Sequence, residues 1–208
     1  MAQNQGQGRW WRRVMFTIIK AAAQQINNIV IGFSGGKDSI VLLDLCCRYF
    51  PRVEAFFMYL VPDLEFQEQN LRYYEKRYDI KILRIPHWQL SNMLKGTFRP
   101  PNSQTWSLPK IKPDDVNDYV REKTGIDWIG YGLKKSDSLS RRPWLEKNKG
   151  INQKKRIIYP LADFTDKAIY GYLKKYKLPL PIDYQLFGRS FGRLWAEELM
   201  AIYSAVVG

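Results

Sequence analysis

The stretch that most limits the fold is residues 28–50, NIVIGFSGGKDSIVLLDLCCRYF, a short β-branched run, a glycine turn and an apolar helical run in succession. The run NIVIGF suits a buried strand, and Ile40, Val41, Leu43 and Leu45 give the following helix its apolar positions. A turn of this kind presents backbone N–H groups together with the partly positive start of a helix, a setting that favours anions. Ser34 and Ser39 add hydroxyl donors, and Lys37 adds a mobile cation. Gly35 and Gly36 allow positive φ and let phosphate oxygens approach the backbone. Asp38 would repel a bare phosphate but suits a Mg²⁺ ion beside one. The plainer alternative is a strand-to-helix connection with serine capping.

A Walker A loop needs G-x-x-x-x-G-K-[ST]. Here Gly32 stands one residue too close to Gly36–Lys37, and Asp38 holds the Ser/Thr place. The spacing therefore fails twice.

The rest of the chain alternates strands and helices. Residues 10–26 read as a helix after a polar tail, 53–61, 80–85, 126–132 and 156–161 as further strands, and 66–78, 113–125 and 165–177 as helices. Residues 87–112 loosen into a short helix and a proline-rich loop, of a kind that is often functional. Such alternation predicts an α/β fold: one doubly wound, parallel, five-stranded sheet with helices on both faces. The expected division is 1–27, a basic and aromatic tail with the N-terminal helix; 28–186, the nucleotide-binding domain; and 187–208, a C-terminal helical segment. Ligands of such sheets bind beyond the carboxyl ends of the strands, where strand order switches.

With 33 Lys+Arg against 20 Asp+Glu the net charge is +13, which favours polyanions such as nucleic acid or nucleotide phosphates, a solvated basic surface being the alternative. No apolar run is long enough to span a bilayer, and residues 1–13 lead into no signal-type core, so a cytoplasmic protein with no membrane partner is expected. The adjacent pair Cys46 and Cys47 is unsuited to a disulfide, and on the first sheet-covering helix these residues are expected to pack. There is no Cys-x-x-Cys and one histidine, His87, so neither an iron–sulfur cluster nor zinc is expected. A Ser/His/Asp hydrolase is set aside for want of a nucleophile elbow.

SGGKDS at 34–39 closely resembles the PP-loop of the ATP pyrophosphatase superfamily, which includes the small subunit of ATP sulfurylase, phosphoadenosine-phosphosulfate (PAPS) reductases and sulfur-transfer enzymes acting on tRNA and DNA. The resemblance runs from about residue 28 to 193 and implies an adenine nucleotide alpha hydrolase-like fold. It implies that Ser34, Gly35, Gly36, Lys37, Asp38 and Ser39 hold the pyrophosphate of ATP, with Lys37 and Asp38 catalytic and Mg²⁺ on Asp38. Asp63, in MYLVPDLEF, stands where the family has a ribose-, adenine- or metal-contacting segment, a turn aspartate being the alternative. In YGLKKSDSLSRR, Gly132 would let the chain pass near the nucleotide, and Lys134, Asp137, Ser138 and Arg141 would hold a substrate anion.

Residues 159–184 match a family stretch that forms a helix begun by Asp163 and Thr165. The family's redox cysteine then has no counterpart, because Arg193 stands near its place. The resemblance thus implies an enzyme cleaving the α–β bond of ATP, by adenylyl transfer or pyrophosphate release, rather than a PAPS reductase. Two alternatives stay open. One is a nucleotide-binding subunit working beside a partner chain or a further copy of itself, and the other is a nucleic-acid-modifying protein, with GRWWRR (8–13) stacking on single strands.

Overall fold

The computed structural model describes residues 16–93, 108–182 and 184. Its sheet is built on β1 (Asn28–Gly32), whose Ile29, Val30 and Ile31 are fully buried. β1 pairs in parallel with β2 (Arg52–Tyr59) on one side and with β4 (Ile129–Gly130) on the other. β3 (Ile82–Pro86) extends the β2 side, while β6 (Ile157–Ile158) and β5 (Ile151–Asn152) extend the β4 side, giving the order β3-β2-β1-β4-β6-β5.

The sheet is thus six-stranded rather than five, and β5 runs antiparallel to β6, with Ile151 opposite Ile158. β5 carries a single apolar residue, Ile151, in the polar stretch KNKGINQKK, whereas the equally short β4 and β6 lie within longer apolar runs. The other five strands are those the sequence predicts, several of them shorter.

Side chains alternate across the strands, and this alternation divides the core in two. Ile29, Ile31, Ala55 and Phe57 face a cluster filled by helix α1 (residues 16–23), α2 (Lys37–Tyr49), α3 (Glu65–Tyr78) and α7 (Asp166–Tyr176). Val30, Phe56 and Ile129 face the opposite cluster, closed by Val116 and Val120 of α5 (Pro113–Thr124) and Leu145 of α6 (Arg142–Lys147). Both faces are covered, as the double winding requires. Ile19, Ala22 and Ile26 are buried with the first cluster, so α1 shares the core of the sheet. The expected helix over 10–26 is described only from residue 16, and its first residues lie outside the described set.

Local signals explain where the helices begin and end. In α5, Pro113 opens the helix, the Lys112 N–H donates to Asp115 Oδ2 at 2.7 Å, and Gly125 closes it at φ +67°. Thr165 caps α7, accepting from the Ala168 N–H at 3.3 Å. A short helical turn, α4, covers Leu90–Asn92. Most of the proline-rich loop after it, and the 187–195 segment where the redox cysteine was sought, lie outside the described residues.

Topology places the site. The chain winds β1, β2, β3 in one direction, then returns to lay β4 against the other side of β1. The crevice between the carboxyl ends of β1 and β4 is therefore the switch point of the sheet.

Candidate nucleotide-binding site

The glycine turn leaves β1 at Gly32 and enters α2 at Lys37, so its N–H groups ring the start of that helix. Gly35 takes φ +71°, which a side chain would strain. Gly36 does not: it is extended, at φ −79° and ψ 160°, as the residue before the helix. Of the two glycines able to take positive φ, Gly35 alone does so. The serines are engaged within the turn. Ser34 Oγ accepts from the Gly36 N–H at 3.4 Å and donates to Ser39 Oγ at 3.3 Å, while Ser39 Oγ donates to the Gly36 carbonyl at 2.8 Å. They hold the shape of the loop, and Lys37 at its end is buried.

Two segments converge on this turn. After β4, Gly132 lies against the first turn of α2, where an added Cβ would come within 3.3 Å of the Asp38 carbonyl carbon and oxygen. That close passage brings the fully buried side chain of Lys134 to the loop. Lys134 Nζ donates to Asp38 Oδ1 at 2.6 Å and to Asp166 Oδ1 at 2.7 Å, and pairs with Asp137 Oδ1 at 3.2 Å. Lys37 Nζ donates to Asp38 Oδ2 at 2.9 Å and to the same Asp166 Oδ1 at 3.0 Å. Two ammoniums and three carboxylates therefore share one cluster. The Lys37 N–H, one of the unsatisfied donors at the start of α2, gives its hydrogen bond to Tyr184 Oη at 2.8 Å.

The electrostatics follow from this geometry. Burial pulls the Lys134 pKa down, but hydrogen bonds from its ammonium to Asp166 and Asp38 outweigh burial and raise it above the ordinary lysine value. The hydrogen bond from Lys134, with a second from Lys37, lowers Asp166 to about 2. Each oxygen of Asp38 accepts from one lysine and keeps a second lone pair. Among the described residues no group of three or more His, Cys, Asp and Glu side chains is placed to hold a metal ion.

The fold thus brings together Lys37, Asp38, Lys134 and Asp137 of the sequence-predicted residues, with Gly132 as the spacer that admits them. Ser138 instead pairs its hydroxyl with Ser140 at 2.8 Å, and Arg141 is exposed at the start of α6. Asp63 sits at φ +56° in the turn after β2, lining a different cleft with Phe57, Gln67, Glu68 and Arg84. Sequence reasoning missed Asp166 and Tyr184. Asp166 had one available signal: it begins a helix that follows β6, so it lies at the same edge of the sheet as the loop. Cys46 is buried and burial pushes its thiol up; Cys47, half-buried, is pushed up to about 12 by burial and the Asp44 carboxylate. Both are poor nucleophiles.

A family model described as "Phosphoadenosine phosphosulfate reductase domain" matches residues 28–194. No curated protein matches the chain. Among solved structures, the U34-tRNA thiolase NcsA from Methanococcus maripaludis, with its [4Fe-4S] cluster, is similar at TM-score 0.59 and 14% identity. The match covers 83% of this chain and 64% of that one, so the chain spans less than two thirds of the thiolase's length. The NH3-dependent NAD synthetase from Campylobacter jejuni subsp. jejuni NCTC 11168, in complex with the nitrate ion, is similar at TM-score 0.51 and 15% identity, over 87% of this chain and 79% of that one.

The thiolase corrects one expectation. A protein of this fold carries a [4Fe-4S] cluster, so the exclusion of an iron–sulfur cluster, drawn from the missing Cys-x-x-Cys, does not stand. Cluster ligands are gathered by tertiary and quaternary structure from distant segments, and local cysteine spacing alone does not decide the matter.

Proposed function

Because this chain belongs to the phosphoadenosine phosphosulfate reductase domain family, within the PP-loop proteins of adenine nucleotide alpha hydrolase-like fold, we propose that it is an enzyme that binds ATP on residues 34–39 and breaks the α–β phosphate bond. The observation that carries this reading is the convergence of Lys37 and Lys134 on the helix start at the β1/β4 switch point. The β- and γ-phosphates lie over the start of α2, where the backbone donors and Lys37 stabilise the charge that grows on departing pyrophosphate. An acceptor oxyanion, drawn in by Arg141 and the basic residues after β4, attacks the α-phosphorus. A new O–P bond forms, the α–β P–O bond breaks, and its electron pair leaves on pyrophosphate. An anionic acceptor needs no general base, and none is assigned.

Thiol-based reduction is not part of the proposal. Cys46 and Cys47 lie towards the far end of α2 from Lys37, and their thiols stay protonated near neutral pH.

Incubation of the protein with ATP and Mg²⁺, alone and with sulfate or single-stranded nucleic acid, tests the reading by the products. Pyrophosphate is expected in at least one mixture. ADP and phosphate as the only products would overturn it, and ATP binding with no pyrophosphate under any condition would favour the non-catalytic subunit.

A nucleic acid as the acceptor is the second reading. The net charge of +13 supports it, as does a run of exposed Arg141, Arg142, Lys147 and Lys154 whose side chains form no ion pair among the described residues. The thiolase of similar fold is, by its name, a tRNA enzyme. Binding of single-stranded RNA or DNA that weakens steeply with salt supports this acceptor, and no binding at low salt removes it.

A further inference from the structure

We propose that Lys37 and Lys134 form a single oxyanion site, that the carboxylate of Asp166 fills it in this structure, and that an oxygen of a bound pyrophosphate group replaces it when Asp166 turns outward. The inference rests on the nucleotide reading of the loop and adds to it the residue that competes with the ligand.

One oxygen atom carries the geometry. Asp166 Oδ1 stands 3.0 Å from Lys37 Nζ and 2.7 Å from Lys134 Nζ, so an anionic oxygen of ordinary size fits between the two ammoniums. The lysines do not depend on it for their placement. Asp38 holds both of them by different oxygens, Oδ2 to Lys37 and Oδ1 to Lys134. The three carboxylates also differ in freedom: the Asp38 and Asp137 side chains are 14% and 16% exposed, whereas that of Asp166 is 62% exposed. Asp166 is therefore already the most solvated of the three and the freest to turn into water.

Charge gives the reason it must leave. Three carboxylates against two ammoniums leave one net negative charge where an anion is to bind. With Asp166 turned out the cluster is neutral, and the helix start then adds its partial positive charge. The backbone donor at that helix start is held in the same manner. The Lys37 N–H already donates to an oxygen of the chain, Tyr184 Oη at 2.8 Å.

Asp166→Asn, with Asp166→Ala beside it, tests the proposal by titration calorimetry with inorganic pyrophosphate and, separately, with sulfate. Removing one negative charge beside the bound anion should tighten pyrophosphate binding about tenfold. Asp166 also occupies the first turn of α7, where a carboxylate favours the helix, so thermal stability should fall slightly as affinity rises. Opposite signs in the two measurements separate a competitor from a structural residue. Unchanged or weaker pyrophosphate affinity in a folded variant overturns the proposal, as does a gain confined to sulfate. Adding Lys134→Met to Asp166→Asn should abolish the gain, and a gain that persists would deny Lys134 its share. Because pyrophosphate binding is read without turnover, the proposal survives a protein that never cleaves ATP and falls in one that cleaves it with Asp166→Asn unchanged.

Discussion

At the scale of single residues, Asp166 links the site to acidity. Its pKa of about 2 lies below the ordinary aspartate value of 3.8, held down by the Lys134 and Lys37 ammoniums. A carboxylate whose folded pKa is depressed contributes stability that is full above the unfolded value and is lost as pH falls through the folded one. Urea unfolding of the wild type should therefore show a decline between about pH 4 and pH 2 that Asp166→Asn makes shallower. Equal slopes in the two proteins would mean that the ion pairs are too solvent-screened to matter. The residues of the loop itself were legible in the sequence because each carries a local demand: a left-handed φ at Gly35, a helix start at Lys37, a strand end at Gly32. Asp166 was not, since in sequence it is one more acid in a helix's first turn.

At the scale of elements, a buried carboxylate ties three helices together. Asp44 of α2, 1% exposed, accepts from Arg48 Nε at 2.7 Å, from Tyr78 Oη of α3 at 2.7 Å and from Tyr172 Oη of α7 at 2.6 Å. Burial alone would raise its pKa, but the bonds from Arg48, Tyr172 and Tyr78 lower it on balance. Asp44→Ala leaves two phenol hydroxyls without their acceptor and should cost about 3 kcal/mol in urea unfolding. A cost below about 1 kcal/mol would mean that water replaces the carboxylate.

Gly132 bears on the same helix from the β4 side. Gly132→Ala drives a methyl group to within 3.3 Å of the Asp38 backbone. The expected result is a loss of about 1–3 kcal/mol of stability together with weaker ATP binding. Intact stability and affinity would show that the segment after β4 yields freely.

At the scale of the whole molecule, strand order positions the candidate site. β1 is central, and the reversal from β2 to β4 opens the crevice into which the loop, Gly132 and Lys134 all project. A ligand that binds the folded state there raises its stability with the logarithm of its concentration over Kd, by about 2.7 kcal/mol at a hundredfold excess. ATP should accordingly raise the melting temperature more than PAPS does. The reverse order would turn the proposal from ATP cleavage towards a PAPS-type ligand.

The alternation of strands and helices, the covering of both sheet faces and the strand–turn–helix setting of SGGKDS came from the sequence alone, because periodicity, caps and glycine φ are properties of a few neighbouring residues. β5 escaped it because Ile151 is its only apolar residue. The cluster was decided only by tertiary structure: Lys134 meets Asp38 across 96 positions, and Lys37 meets Asp166 across 129. Those meetings depend on which strands lie beside β1, and strand order is set by the packing of the whole sheet. The sequence could announce the glycine turn, but the carboxylate that meets its lysine became visible only once β4, β6 and α7 had been placed.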